Sequence, residues 1–283
     1  MKILVVGLGL IGGSICKSLK KYTDHTVIGA DLNKEIENNA LEEKSIDEIF
    51  NGSFNGIDLV MICLYPEAAE KYFISHAFEM EKGTLVTDVC GIKGDFSNRM
   101  RKIALANSLE YIGIHPMAGK EFGGYANSTS ELFCNANFIV TPFESSNNEK
   151  TDLLVKLAED MGAGKIVVTT PDNHDKMIAY TSQLAHIVSS AYVKSPELQV
   201  ECGFSGGSFQ DMTRIATMNE TMWTDLFMQN KENLLFELET LISNLTEYSE
   251  ALKNQDHDKM EQLIKDGRIL KEENLRSRAG QPN

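Results

Sequence analysis

Positive charge is in short supply relative to negative. The sequence carries 27 lysines and arginines against 41 acids, for a formal net charge of −14. That balance excludes a surface built to hold nucleic acid or an anionic membrane. It also means that an anionic substrate needs a local cationic pocket inside an acidic protein. No apolar run approaches the length of a bilayer span, so no membrane helix is expected. Lys2 and the apolar stretch after it imitate a short leader, but glycines interrupt the run and no small-residue cleavage site follows. Cysteine is scarce: Cys16, Cys63, Cys90, Cys134 and Cys202 are odd in number, scattered, and form no C-x-x-C pair. Neither a disulfide framework nor a metal site is expected, and a reduced, cytoplasmic protein is the simplest reading. The remaining composition, 42% hydrophobic and 24% charged over 283 residues, is that of an ordinary globular chain of one large or two ordinary domains.

What is present is densest at the start. The apolar run Ile3-Leu4-Val5-Val6 leads into Gly7-Leu8-Gly9-Leu10-Ile11-Gly12-Gly13-Ser14, a helix-like stretch follows, and a second apolar run ends on Asp31. A glycine turn between a strand and a helix, with an acid about twenty residues on, is the context of a dinucleotide site. Gly7 permits a tight turn, Gly9 lets a pyrophosphate approach the backbone, and Gly12 lets the helix pack close to the strand. Leu8, Leu10 and Ile11 complete the loop and offer N–H groups to the phosphates. Asp31 accepts from ribose hydroxyls and repels a 2′-phosphate, so the expected cofactor is NAD.

Short apolar runs continue at 59–63, 84–88, 111–114, 137–140 and 165–168, alternating with helix-like segments, the pattern of a doubly wound parallel sheet. Ligands of such sheets lie off the carboxyl ends of the strands. That places Leu64 and Cys90 against the cofactor and puts His115 where chemistry is expected. After Pro171 the pattern is helical throughout. One helix is expected over 172–194, another after the glycine-rich loop 203–208, a long one from about 220 toward 252, and a last one from 256 to about 276. Leu234, Leu238, Leu241, Leu245, Tyr248 and Leu252 recur at steps of four and three, a coiled-coil-like seam that favours a homodimer. The expected architecture is a Rossmann-type domain over 1–168 followed by an all-α domain over 169–283 that binds substrate and dimerises. No β-α-β-β-α-β pattern follows it, so no regulatory module of that kind is expected.

His115 sits in Gly113-Ile114-His115-Pro116-Met117-Ala118-Gly119-Lys120-Glu121. A histidine at a strand end is placed to polarise or deprotonate a hydroxyl; the alternative is a packed or capping role. This stretch resembles the H-P-M-A-G-x-E segment of the prephenate and arogenate dehydrogenase family. Three other segments agree in order. The opening glycine turn has the form that family favours. Asn173-His174-Asp175 with Ser182-Gln183-Leu184-Ala185-His186 is similar to its H-D-x-x-x-A-x-x-S-H-L-P-H helix. Phe209-Gln210-Asp211-Met212-Thr213-Arg214-Ile215-Ala216, with Trp223 beyond, is similar to its F-x-D-x-T-R-I-A…M-W signature. The resemblance runs from Met1 to about Asn233.

The resemblance implies oxidative decarboxylation of prephenate by NAD to 4-hydroxyphenylpyruvate, on the route to tyrosine. His115 would accept a hydrogen bond from the ring hydroxyl, and Arg214 would pair with a substrate carboxylate. In one continuous α-helix Asp175, Ala179, Ser182 and His186 would share a stripe, bringing Ser182 and His186 to the site; capping or core roles are the alternative. Asp211, three residues before Arg214, would orient it, and Trp223 either walls the substrate ring or packs in the core. Two departures bear on substrate choice. Gly91 stands where many relatives place a serine, and Gln183 and Ala185 replace the histidine and proline of S-H-L-P-H. Gln183 would therefore change the pocket for the substrate side chain. The rival readings are an arogenate dehydrogenase, a β-hydroxyacid dehydrogenase, and a non-catalytic NAD(H)-sensing protein.

Overall fold

The computed structural model describes residues 1–120 and 122–279. Glu121, the last residue of the His-Pro-Met-Ala-Gly segment, and the end of the polar tail lie outside the described residues. The chain divides into two compact units: residues 1–178 with 218–230, and residues 179–217 with 231–283.

The first unit is built on six parallel strands. They are β1 (Lys2–Val6), β2 (Thr26–Ala30), β3 (Glu48–Ile49), β4 (Leu59–Ile62), β5 (Leu85–Asp88) and β6 (Glu110–Tyr111), in spatial order β3-β2-β1-β4-β5-β6. Helices α1 (Leu10–Tyr22), α2 (Lys34–Glu42), α3 (Pro66–His76) and α4 (Gly94–Ala106) connect them. β1 is apolar without alternation because both faces are covered. Ile3 and Val5 pack with Ile15 and Leu19, while Leu4 and Val6 pack on the other side with Phe73 and Phe96. The helix ends are written locally. The Asn33 side chain accepts from the Glu35 N–H to open α2, and Pro66 starts α3 where its missing N–H has no partner to lose.

The apolar run at 111–114 is not one strand. Tyr111 ends the parallel sheet in β6, and Gly113 begins β7 (Gly113–Pro116) in a second sheet. There β7 runs antiparallel to β8 (Phe138–Thr141), and β9 (Ile166–Val168) runs parallel to β8. The last three expected strands thus exist but stand outside the doubly wound sheet. Helix α5 (Asn148–Asp160) joins β8 to β9, and its Leu154 and Leu157 share a core with Ile114, Phe138 and Val140.

The helix expected over 172–194 is three pieces: α6 (Pro171–Ile178), a π-helical turn (Ala179–Gln183), and α7 (Leu184–Tyr192). The unit boundary falls at the start of the π turn. That turn widens the spacing from 3.6 residues, so Asp175, Ala179, Ser182 and His186 do not lie on a single α-helical stripe. The long helix expected from 220 is also two: α9 (Glu220–Gln229) in the first unit and α10 (Lys231–Lys253) in the second. Asn230, the buried C-cap residue of α9, donates from its side chain to the Asp175 carbonyl at 2.9 Å.

The second unit holds α7, α8 (Gly207–Thr213), α10 and α11 (His257–Ala279). α10 and α11 pack together, with the Tyr248 hydroxyl donating to the Leu263 carbonyl at 3.2 Å. Along the leucine seam Leu234 is buried, but Leu245 and Leu252 are 57% and 69% exposed. Among the described residues no helix is long and apolar enough to cross a membrane.

Candidate active site

The strand order of the first unit reverses between β1 and β4, which opens a crevice at their carboxyl ends. Gly7 turns there with φ +92°, and a Cβ on it would lie 2.6 Å from the Cys63 carbonyl oxygen. A Cβ on Gly12 would lie 1.9 Å from the Gly7 oxygen, so α1 packs against the turn at a distance only glycine allows. Gly9, which caps α1, has nothing within 4 Å of where its Cβ would stand, and the first turn of α1 carries no acid and no side-chain cap. Leu8, Leu10 and Ile11 thus stand at a helix start with room for an anion. Asp31 is tied to this loop: its carboxylate accepts from the Leu8 N–H at 2.7 Å and the Asn33 N–H at 2.9 Å. A buried Glu37, paired with Lys34 at 2.8 Å, accepts from the Asp31 N–H at 3.0 Å and holds the acidic strand end in place. A pyrophosphate and an unphosphorylated ribose fit these residues; a 2′-phosphate does not.

Leu64 and Cys90 close the same edge on each other. The Cys90 thiol donates to the Leu64 carbonyl at 3.4 Å, and burial pushes its pKa well above the ordinary thiol value. The thiol is therefore a neutral packing group rather than a nucleophile.

His115 comes from the second sheet, in β7 opposite Ile139. Its Nδ1 lies 2.9 Å from Nε2 of the buried His174, and His174 Nδ1 lies 2.7 Å from Asp175 Oδ1. Asp175 caps α4 from outside, accepting from the N–H groups of Lys93, at 2.7 Å, and Gly94. A Cβ on Gly94 would stand 2.7 Å from its Oδ2, so the cap requires glycine there. The Lys93 side chain is 0% exposed; its ammonium donates to Asp88 Oδ1 at 2.6 Å and to the Cys90 carbonyl at 3.0 Å. The Tyr111 hydroxyl donates to Asp88 Oδ2 at 2.6 Å, and the Cys90 N–H reaches Oδ1 at 2.8 Å. Every buried charge in the cluster therefore has hydrogen-bonded partners.

Burial, the neighbouring His174 and the Lys93 charge hold His115 well below the ordinary histidine pKa. Burial and Lys93 push His174 down to about 3, and burial raises Asp175 to about 6. At neutral pH both imidazoles are uncharged and Asp175 is ionised. The Nε2 side of His115 lies beside Gly91, where an added Cβ would be in ordinary contact, 3.7 Å from Nε2 and 4.0 Å from Leu226. A serine at position 91 would stand beside the His115 ring.

Trp223 belongs to the first unit, on α9, with its ring 5.3 Å from that of Phe227; it is partly buried. Ser182, Gln183, His186 and Arg214 belong to the second unit. Within it, the His186 Nδ1–H donates to the Ser182 carbonyl at 2.9 Å. Burial lowers the His186 pKa, and the Arg214 charge lowers it further, which places those two near each other. Gln183 is buried in the π turn. No ion pair joins Asp211 to Arg214 among the described residues; α8 ends at Thr213 and Arg214 opens a 3-10 turn. Arg214 is exposed. The cluster Asp88–Lys93–Asp175–His174 went unassigned in the sequence. Its local signals are His174 and Asp175 in the family-like helix segment and an acid at the end of an otherwise apolar strand, Leu85-Val86-Thr87-Asp88.

A parallel sheet in this order, with an open glycine turn at its switch point, defines the dinucleotide-binding α/β class. The model of the prephenate dehydrogenase nucleotide-binding domain matches residues 15–168, and that of the prephenate dehydrogenase dimerization domain matches residues 170–266. The chain belongs to the prephenate dehydrogenase family. It is 27% identical over 280 residues to a prephenate dehydrogenase of Lactococcus lactis, covering 96% of this chain and 77% of that one. Among solved structures it resembles prephenate dehydrogenase from Aquifex aeolicus in complex with hydroxyphenyl propionate and NAD+. The TM-score is 0.84 at 27% identity, over 96% of this chain and 98% of that one. Arogenate dehydrogenase from Synechocystis matches with the same TM-score at 25% identity, over 96% and 99%.

Proposed function

We propose that this chain is an NAD-dependent prephenate dehydrogenase, converting prephenate to 4-hydroxyphenylpyruvate and carbon dioxide. The observation that carries this reading is a neutral His115 whose Nδ1 is engaged by His174, leaving Nε2 beside Gly91, next to Cys90 at the edge of a dinucleotide site. NAD, when bound, supplies the hydride acceptor. Gly7, Leu8, Gly9, Leu10, Ile11, Gly12 and Asp31 bind it, with Leu64 and Cys90 shaping the adjoining edge. His115 accepts a hydrogen bond from the ring hydroxyl and shares its proton as positive charge develops on the ring carbon that loses hydride. The bond to the ring carboxylate then breaks, its electron pair completes the aromatic ring, and the proton returns to the phenol oxygen. Arg214 holds a substrate carboxylate, His186 and Ser182 assist it, and Gln183 contacts the substrate side chain. Trp223 borders the ring.

The domain description, together with exposed Leu245 and Leu252 on α10, supports a homodimer formed through the second unit. Five unpaired cysteines are in keeping with a reducing cytoplasm. The test is NADH formation by the purified protein with prephenate and, separately, arogenate. Turnover of prephenate supports the reading. Preference for arogenate would replace it with the sister activity and place Gln183 in an ammonium-binding pocket; inertness toward both would end it.

A further inference from the structure

The reaction leaves two buried groups without a task. His174 meets the Nδ1 side of His115 whereas Gly91 stands nearest Nε2, and Asp175 lies beyond His174. Both nevertheless form one continuous line with His115, at 2.9 and 2.7 Å. The chemistry of that line is directional. An ionised carboxylate can only accept, so His174 must carry its proton on Nδ1. A neutral imidazole has a single N–H, so His174 Nε2 is an acceptor. His115 Nδ1 must then be the donor, which leaves Nε2 with its lone pair. We propose that His174 and Asp175 are positioning residues that fix His115 as its Nδ1–H tautomer, keeping Nε2 available as acceptor and backing it with a remote negative charge.

The placement of Asp175 fits that task. Its carboxylate is immobilised by the Lys93 and Gly94 N–H groups, and its backbone carbonyl by the Asn230 side chain. The charged and titratable groups around the line are Lys93, Asp88, Tyr111 and Cys90. Lys93 and Asp88 are paired with each other and act on His174 in opposite senses, burial holds the Tyr111 hydroxyl and the Cys90 thiol in their neutral forms, and Asp175 is the charged group that His174 bonds directly. A histidine between carboxylate and base transmits orientation as a backbone carbonyl would, and it also lets the carboxylate respond as Nε2 takes up positive charge.

This inference rests on the dehydrogenase reading for its kinetic consequence but not for its structural one. The chain has only six histidines, so the full protein labelled with 15N-histidine reports each ring by NMR. The expected result at pH 7.5 is His115 protonated at Nδ1 and bare at Nε2, changing to a tautomer mixture in His174→Phe. A His115 protonated at Nε2 in the wild type overturns the proposal whatever the enzyme does. In turnover, Asp175→Asn is expected to lower kcat roughly 10- to 100-fold with the KM for NAD within about twofold. His174→Gln, whose carbonyl can still accept from His115 Nδ1–H, should keep more of kcat than His174→Phe. Equal kcat in all three variants and the wild type also overturns it. An Nδ1–H tautomer in a chain inert toward both substrates would sink the dehydrogenase reading and leave the positioning role standing.

Discussion

The carboxyl edge of the parallel sheet and the helices α10 and α11 treat their awkward groups in opposite ways. At the sheet edge, charges that ought to be in water are fully buried, and each is met: Lys93 by Asp88, Asp88 by Tyr111, Asp175 by two backbone N–H groups and His174. On α10, apolar groups that ought to be covered are not; Phe236, Leu245 and Leu252 stand exposed. Buried ion networks add specificity of geometry more than stability, whereas exposed apolar rows mark surfaces meant for a partner. The first region is complete within one chain and poised for chemistry. The second lacks its cover.

The sharpest way to break the contrast is to remove the group the network serves. His115→Ala should lower kcat by roughly two to four orders of magnitude while NAD still binds; a loss under tenfold would make His115 structural. Next, Lys93→Met should cost about 3–5 kcal/mol of stability, read by urea denaturation, since it strands Asp88 as a buried charge. A cost below about 1 kcal/mol would mean that water reaches the cluster. On the helical side, Leu245→Glu with Leu252→Glu should turn a dimer into a monomer in sedimentation while leaving the NAD affinity of each chain unchanged. A dimer that survives would move the interface elsewhere.

Finer tests sharpen the comparison. Asp175 titrates at about 6 whereas His115 is held neutral well below its ordinary value. The fraction of ionised Asp175 therefore grows as pH rises through about 6. Accordingly kcat/KM should fall as pH drops through that value, and Asp175→Asn should abolish this acid limb; a limb that persists would assign it to another group. The smallest effect is expected from Gly91→Ser, because its Cβ would meet only ordinary contacts. Stability should change by about 0.5 kcal/mol or less, and kcat by less than tenfold. A gain would mean that the family serine assists His115 here too.

What the sequence made legible follows from how local each signal is. The turn Gly7–Gly12 and Asp31 are short-range patterns, and the structure places them at the ends of β1 and β2; the His115 segment is as local, but His115 lies within β7 of the second sheet and not off the end of a parallel strand. The division at Ile112 was hidden because a buried parallel strand and a buried antiparallel one read alike when both are apolar. The π turn at Ala179–Gln183 has no sequence period of its own. Asn230, at the break, bonds a carbonyl 55 residues away, and the partnership of Asp88, Lys93 and Asp175 spans 88 positions of the first 175. Such long-range pairings cannot be read from neighbours along the chain.

The return of residues 218–230 to the first unit carries a consequence for synthesis. The polypeptide passes from one unit to the other at residue 178, back at 217, and out again at 230. Asn230 and Leu226, which buttress the Asp175 carbonyl and the space by Gly91, leave the ribosome after the whole of α7 and α8. A nascent chain released at residue 178 would have its nucleotide crevice but no α9 to finish the surroundings of His115. Dinucleotide binding can therefore arise early in translation, and a completed catalytic edge only once the second unit is already under way.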